Sequence, residues 1–230
     1  MALFALILAF GTGWLTQLSS VLYKDKVIYS HSTKYQHLVV TERLLKNRAE
    51  PVTDLFINGH LQFSSVDEQL YHDFLVYPAM LASNRHDNVL IIGGGDGGMA
   101  REVLRHSDVA HVTMVEIDAG VVDFSKAYLP KLSQGAFDDP RLNLVIADGA
   151  AFMRDSDDSF DVIIVDSTDP IGPGEVLFTD TFYGHARNRL NEGGILVTQN
   201  GVPFMQGDEL TNTMRAFKAL FSDWGCYTAT

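Results

Sequence analysis

The segment Asn88-Val89-Leu90-Ile91-Ile92-Gly93-Gly94-Gly95-Asp96-Gly97-Gly98-Met99-Ala100-Arg101-Glu102 constrains this chain more than any other. Its apolar start, rich in β-branched residues, runs into a glycine cluster and then into helix-forming residues. That is the pattern of a buried parallel strand, a tight turn and a helix start. Glycines adopt positive φ and let the backbone approach a ligand closely, and a helix start offers unpaired N–H groups. A second apolar run, His111-Val112-Thr113-Met114-Val115, ends in Glu116, 23 residues beyond Gly93. An acid at the end of the next strand suits a carboxylate that accepts both ribose hydroxyls of a nucleoside. Gly93, Gly95 and Glu116 are therefore candidate nucleoside ligands. An ordinary glycine turn is the plainer alternative, and the joint pattern favours the nucleoside.

After Asn88, strand-like and helix-like segments alternate over 89–92, 99–106, 111–115, 120–128, 142–146, 160–165, 178–190 and 195–198. Such alternation predicts an α/β fold with a doubly wound, Rossmann-like sheet and helices on both faces. A helix-like segment over 209–221 and a strand-like Cys226-Tyr227-Thr228 follow, and further C-terminal strands are expected beyond them. Upstream, Val27-Ile28-Tyr29, the run from Tyr35 to Val40, Leu55-Phe56-Ile57 and His60-Leu61-Gln62-Phe63 read as short strands. Asn58-Gly59 between two of them is a strong hairpin signal. Residues 67–83 read as a helix, with Pro78 as a kink or boundary. The expected organisation is an apolar N-terminal segment (1–25), a small antiparallel β domain (26–66) and a Rossmann-like catalytic domain (67–230), incomplete at its C-terminus.

Composition removes several function classes. The formal net charge is −12 and the isoelectric point near 4.9, without the clustered Lys and Arg that a phosphate-binding face requires, so nucleic acid is not an expected partner. A single cysteine, Cys226, excludes an internal disulfide and a multi-cysteine zinc site, and it fits a reducing compartment. Residues 1–18 are almost wholly apolar or small and carry no charge. They lack the basic start of a signal peptide. A membrane helix that was longer in a parent protein, an interfacial anchor and a buried N-terminal helix all remain open, with the membrane readings ahead.

The run Phe160-Asp161-Val162-Ile163-Ile164-Val165-Asp166-Ser167-Thr168-Asp169-Pro170-Ile171-Gly172-Pro173-Gly174 is another buried strand that empties into a loop. Taken alone, Asp166 and Asp169 are as readily turn caps as ligands. Topology shifts the balance, because a sheet whose order reverses between 89–92 and 160–165 brings Asp96, Asp166 and Asp169 to one crevice. Three carboxylates in one cleft repel one another unless something positive sits among them. A cationic substrate would supply it.

The residues Gly93-Gly94-Gly95-Asp96-Gly97-Gly98, Val115-Glu116-Ile117-Asp118, Ala147-Asp148-Gly149 and Asp166-Ser167-Thr168-Asp169-Pro170-Ile171-Gly172-Pro173, with Tyr35-Gln36 and Tyr71-His72 upstream, resemble the polyamine aminopropyltransferases, best known as spermidine synthases. The resemblance covers roughly residues 27–230 and implies transfer of an aminopropyl group from decarboxylated S-adenosylmethionine to putrescine, giving spermidine and methylthioadenosine. It implies no prosthetic group and no metal. Carried over position by position, Glu116 holds the ribose and Asp148 with Gly149 reads the adenine. Gln36, Gln62 and His72 close over the nucleoside and its arm. Asp96 binds the ammonium of that arm, and Asp169 holds the far ammonium of the diamine. Asp166, helped by Tyr71, takes the proton of the attacking amine. The family also implies a cytoplasmic homodimer or homotetramer. The apolar start resembles the last membrane segment ahead of the catalytic domain in longer bacterial relatives, which implies contact of residues 1–18 with the inner membrane.

Two rivals stand beside this reading. A methyltransferase that uses S-adenosylmethionine would need the same sheet and the same Glu116, but has no evident use for Asp96, Asp166 and Asp169 together. A non-catalytic nucleoside- or polyamine-binding domain is the other. The choice among putrescine, cadaverine, agmatine and spermidine is not legible.

Overall fold

A computed structural model of the chain describes residues 22–167, 172–200 and 207–228, except the side chains of 172 and 173. The chain divides into two compact units, Met1–Glu68 and Gln69–Thr230.

The first unit is a four-stranded antiparallel meander of β1 (Lys26–Ser32), β2 (His37–Arg43), β3 (Val52–Ile57) and β4 (His60–Ser64), in sequence order. Asn58 (φ 51°) and Gly59 (φ 84°) form the two-residue turn between β3 and β4, both left-handed, as the Asn-Gly pair requires. β2 begins two residues later than the alternation of the sequence suggests. Thr33 Oγ1 accepts the backbone N–H groups of Tyr35 (3.1 Å) and Gln36 (3.0 Å), and this side-chain turn holds both residues out of the ladder.

The second unit opens with α1 (Glu68–Ala82), followed by β5 (Asn88–Gly93), α2 (Gly98–Leu104), β6 (His111–Glu116), α3 (Ala119–Tyr128) and α4 (Pro130–Ser133). Then come β7 (Leu142–Ile146), α5 (Gly149–Asp155), β8 (Phe160–Asp166), α6 (Asp180–Arg189), β9 (Leu190–Thr198) and α7 (Gly207–Leu220). α1 runs on through Pro78, where the sequence suggested a kink or boundary. Burial of Leu75, Val76, Ala79 and Met80 explains why. Leu75, Val76 and Met80 contribute roughly 1.5–3 kcal/mol each, against about 3 kcal/mol for an internal proline. The strand-like 226–228 forms no strand among the described residues. Tyr227 is tied instead through its hydroxyl, which donates to the Phe74 carbonyl (2.7 Å).

The five strands pair in the order β7-β6-β5-β8-β9, with every pairing parallel. The chain steps outward from β5 to β7, then returns to β8 beside β5, so the expected reversal falls between β5 and β8. Alternate strand residues divide between two cores. Val89, Ile91, Met114, Val162 and Ile164 pack with α1 and α2 on one face. Leu90, Ile92, Val115, Ile163 and Val165 pack with Met153, Phe182 and Tyr183 on the other. Residues buried on both faces of a strand are what near-continuous apolar runs encode. The fold is thus a Rossmann-like α/β unit accompanied by a small antiparallel sheet. No helix among the described residues is long and apolar enough to cross a membrane. The expectation for residues 1–18 lies outside the described residues.

Candidate active site

Parallel pairing lines up the strand ends that carry chemistry. Gly93 at the end of β5 pairs with Asp166 at the end of β8, and Glu116 at the end of β6 pairs with Ile146 of β7. Three glycines of the turn after β5 are left-handed, at φ 87° (Gly93), 73° (Gly94) and 84° (Gly97). At Gly93 a Cβ would also overlap the Asp166 carbonyl, so backbone conformation and close approach both demand glycine. At Gly95 a Cβ would stand 2.8 Å from Glu116 Oε2, too near for the carboxylate to stay.

Glu116 is buried and doubly held. Its Oε2 accepts the Gly95 N–H (3.2 Å) and its Oε1 accepts the Asp118 N–H (2.9 Å). Burial raises its pKa to about 7, with the charges of Asp118 and Asp166 adding to the rise and the two N–H bonds opposing it. A carboxylate has about four acceptor sites, so each oxygen keeps capacity for one further hydroxyl. At the end of β7, Asp148 caps α5 by accepting the Ala151 N–H (2.9 Å), and Gly149 packs closely on Ile92. The turn-cap role of Asp148 is therefore present.

The acids expected around an ammonium lie beside this turn. Asp96 Oδ1 accepts the Gly98 N–H (2.8 Å), and Asp96 Oδ2 is 3.5 Å from Nε2 of the buried His72. Asp166 is partly buried, and Tyr71 of α1 donates its hydroxyl to Asp166 Oδ1 (2.5 Å). Desolvation raises the Asp166 pKa to about 6, and the Asp96 charge adds to the rise. His72 and the Tyr71 hydrogen bond work the other way. A carboxyl poised there is ionised at neutral pH, yet basic enough to take a proton from a bound ammonium.

Glu116, Asp148, Gly93, Gly95, Asp96, His72, Tyr71 and Asp166 are thus gathered at the carboxyl edge of one sheet. Gln36, in the turn before β2, and Gln62, on β4, stand on the first unit. Asp169 lies outside the described residues. Sequence reasoning passed over Gln199, the residue after β9, whose Oε1 is 2.9 Å from the Tyr71 hydroxyl. A polar residue straight after a buried strand, at the same edge as Asp166, was the available signal.

Residues 68–230 match the family model described as spermine/spermidine synthase domain. The chain belongs to the spermine/spermidine synthase family. It is 63% identical over 206 residues to a polyamine aminopropyltransferase of Ruegeria sp. (strain TM1040), covering 90% of this chain and 71% of that protein. It is 52% identical over 205 residues to polyamine aminopropyltransferase 1 of Pseudomonas aeruginosa, covering 89% and 70%. Among solved structures it resembles a spermidine synthase in complex with the transition state analogue AdoDATO, at TM-score 0.78 and 36% identity. It also resembles the spermidine synthase from Thermotoga maritima, at TM-score 0.75 and 33% identity. The chain spans 65% and 64% of those two solved chains, which cover 85% and 86% of it. As a member of this family it is a transferase.

Proposed function

We propose that the chain transfers an aminopropyl group from decarboxylated S-adenosylmethionine to putrescine, giving spermidine and methylthioadenosine. The observation that carries this reading is the group of Asp96, Asp166 and Tyr71 beside a glycine turn whose acid, Glu116, keeps acceptor capacity on both oxygens. Glu116 takes the ribose hydroxyls, and Asp148 with Gly149 reads the adenine. Gln36, Gln62 and His72 close over the nucleoside, and Asp96 takes the ammonium of its arm. Asp169 takes the distant ammonium of the diamine.

Asp166 removes one proton from the near ammonium of the diamine. The freed nitrogen lone pair forms a C–N bond to the arm's methylene next to sulfur as the C–S bond breaks. Its electron pair stays on sulfur, so the sulfonium leaves as a neutral thioether. The step needs alignment and a neutral amine, which carboxylates at both ends of the amine provide.

The same reading includes a cytoplasmic homodimer or homotetramer, with residues 1–18 in contact with the inner membrane. Sedimentation of the whole chain with and without vesicles tests both points. The activity is tested by incubating the protein with decarboxylated S-adenosylmethionine and putrescine, cadaverine, agmatine or spermidine. Methylthioadenosine formed in step with the new polyamine is the expected result. A methylated product from S-adenosylmethionine would move the protein to the methyltransferases. Binding without any turnover would leave a non-catalytic binding domain.

A further inference from the structure

We propose that Gln199 is a positioning residue, a two-way hydrogen-bond partner that keeps Tyr71 matched to both protonation states of Asp166. The inference rests on Asp166 being the base for the amine.

The backbone of Gln199 is tied to the strand that ends in Asp166. Its N–H donates to the Val165 carbonyl (3.2 Å), and its own carbonyl accepts the Thr198 hydroxyl (3.0 Å). Its side chain thereby reaches Tyr71 at the same sheet edge. The Tyr71 hydroxyl oxygen lies 2.5 Å from Asp166 Oδ1 and 2.9 Å from Gln199 Oε1. A phenol has one proton, so it cannot donate to two acceptors at once.

An amide resolves the conflict because it carries an acceptor and a donor on one rotatable end. When Asp166 is ionised, Tyr71 donates to it, and Gln199 turns its NH2 toward the Tyr71 oxygen. When Asp166 has taken the amine's proton, its O–H donates to Tyr71, and Tyr71 donates to Gln199 Oε1. The terminal torsion of Gln is broad and roughly two-fold, which suits a half-turn. Gln199 and Tyr71 also border a cavity of about 380 Å³ together with Phe74, Phe217 and Trp224, which leaves the amide room. No covalent bond of the phenol breaks, since its proton only changes direction, and the net transfer remains from ammonium to Asp166.

Other groups that face Asp166 are Asp96 after β5, His72 on α1 and Glu116 at the end of β6. Cys226 and Tyr227 border the same cavity. The Tyr227 hydroxyl, which can also give and take, is engaged with the Phe74 carbonyl (2.7 Å), and His72 Nε2 faces Asp96 Oδ2 (3.5 Å).

The test follows the Asp166 carboxyl directly by carbon-13 NMR titration of the unliganded protein, with its resonance assigned by its loss in Asp166→Asn. Gln199→Met removes both donor and acceptor at similar volume, and this costs the protonated state of Asp166 more, because the Tyr71 O–H loses its Gln199 acceptor there, whereas the ionised state loses only a donor to the phenol oxygen. The Asp166 titration should then move to lower pH, by about half a unit to one unit. Gln199→Glu offers only acceptors and adds charge, and it should move the titration upward by at least as much. The acid limb of kcat/KM for the amine should follow in the same two directions, while the Kd for methylthioadenosine changes less than about twofold, below 0.5 kcal/mol. Shifts of opposite sign support the inference. Shifts of the same sign, or none beyond about 0.2 unit (0.3 kcal/mol), overturn it. The titration needs no turnover, so its failure is distinct from failure of the aminopropyl assignment, which absence of methylthioadenosine would reveal.

Discussion

The imidazole of His72 occupies the place where a Cβ on Gly98 would stand. Gly98 is the first residue of α2, and its N–H is the one held by Asp96 Oδ1 (2.8 Å). One small residue therefore seats both His72 and Asp96, which lie 3.5 Å apart.

Gly98→Ala should destabilise the protein, although helix propensity alone argues the reverse. Alanine gains about 1 kcal/mol over glycine in a helix. Overlap with a buried ring costs roughly 1–3 kcal/mol, and His72, 1% exposed, cannot swing clear. The expected net is a loss of about 1 kcal/mol in urea denaturation, accompanied by reduced turnover as Asp96 loses its setting. A variant more stable than wild type would show that the ring moves freely.

Asp166→Asn should lower turnover by about 10²–10⁴-fold while leaving methylthioadenosine affinity nearly intact, because the lost group acts on the amine proton. In the wild type the acid limb of kcat/KM for the amine should fall near pH 6, where Asp166 of the unliganded protein protonates. Retention of more than about half the wild-type turnover would remove Asp166 from the role of base.

Nucleoside affinity should depend on pH through Glu116. Only the ionised carboxylate accepts two hydroxyls, and its pKa is raised to about 7. Affinity for methylthioadenosine should therefore weaken below pH 7, approaching about tenfold per pH unit. In Glu116→Gln the affinity should be lower and flat with pH. Folding responds with the opposite sign. A carboxyl with a raised pKa binds its proton more tightly when folded, so the unliganded protein should gain stability as pH falls through 7 toward 4.5. Asp166, raised from 3.8 to about 6, acts in the same direction. Calorimetric titration and thermal unfolding across this range check both statements.

The acids should also discriminate between cofactors. S-adenosylmethionine differs from its decarboxylated form by a carboxylate next to the arm's ammonium, and Asp96 would face that charge. Like charges about 4 Å apart repel by about 4 kcal/mol at an effective dielectric near 20, and even half of this exceeds tenfold. The decarboxylated form should bind at least about tenfold more tightly, and Asp96→Asn should narrow the gap. Equal wild-type affinities would favour the methyltransferase assignment.

Local sequence was enough for whatever one segment encodes by itself. Continuous apolar runs require strands buried on two faces, and alternation with helices requires parallel pairing and crossovers, so the sheet order around β5 and β8 was legible. Glycine between β5 and α2 and Asn58-Gly59 in the hairpin were legible because only their backbone freedom fits those turns. The acids at strand ends followed, since a parallel sheet carries every strand's carboxyl end to one edge. Tertiary structure decided what depends on residues distant in the chain. Tyr71 and Asp166 are 95 residues apart, and Tyr71 and Gln199 are 128 apart. No periodicity records such a meeting. Continuation of α1 through Pro78 and the absence of a ladder at Tyr227 were likewise decided by packing. The same holds for charge: Glu116 and Asp166 look like ordinary carboxyls in sequence, and it is burial beside one another and beside Asp96 that lifts their pKa values toward neutrality.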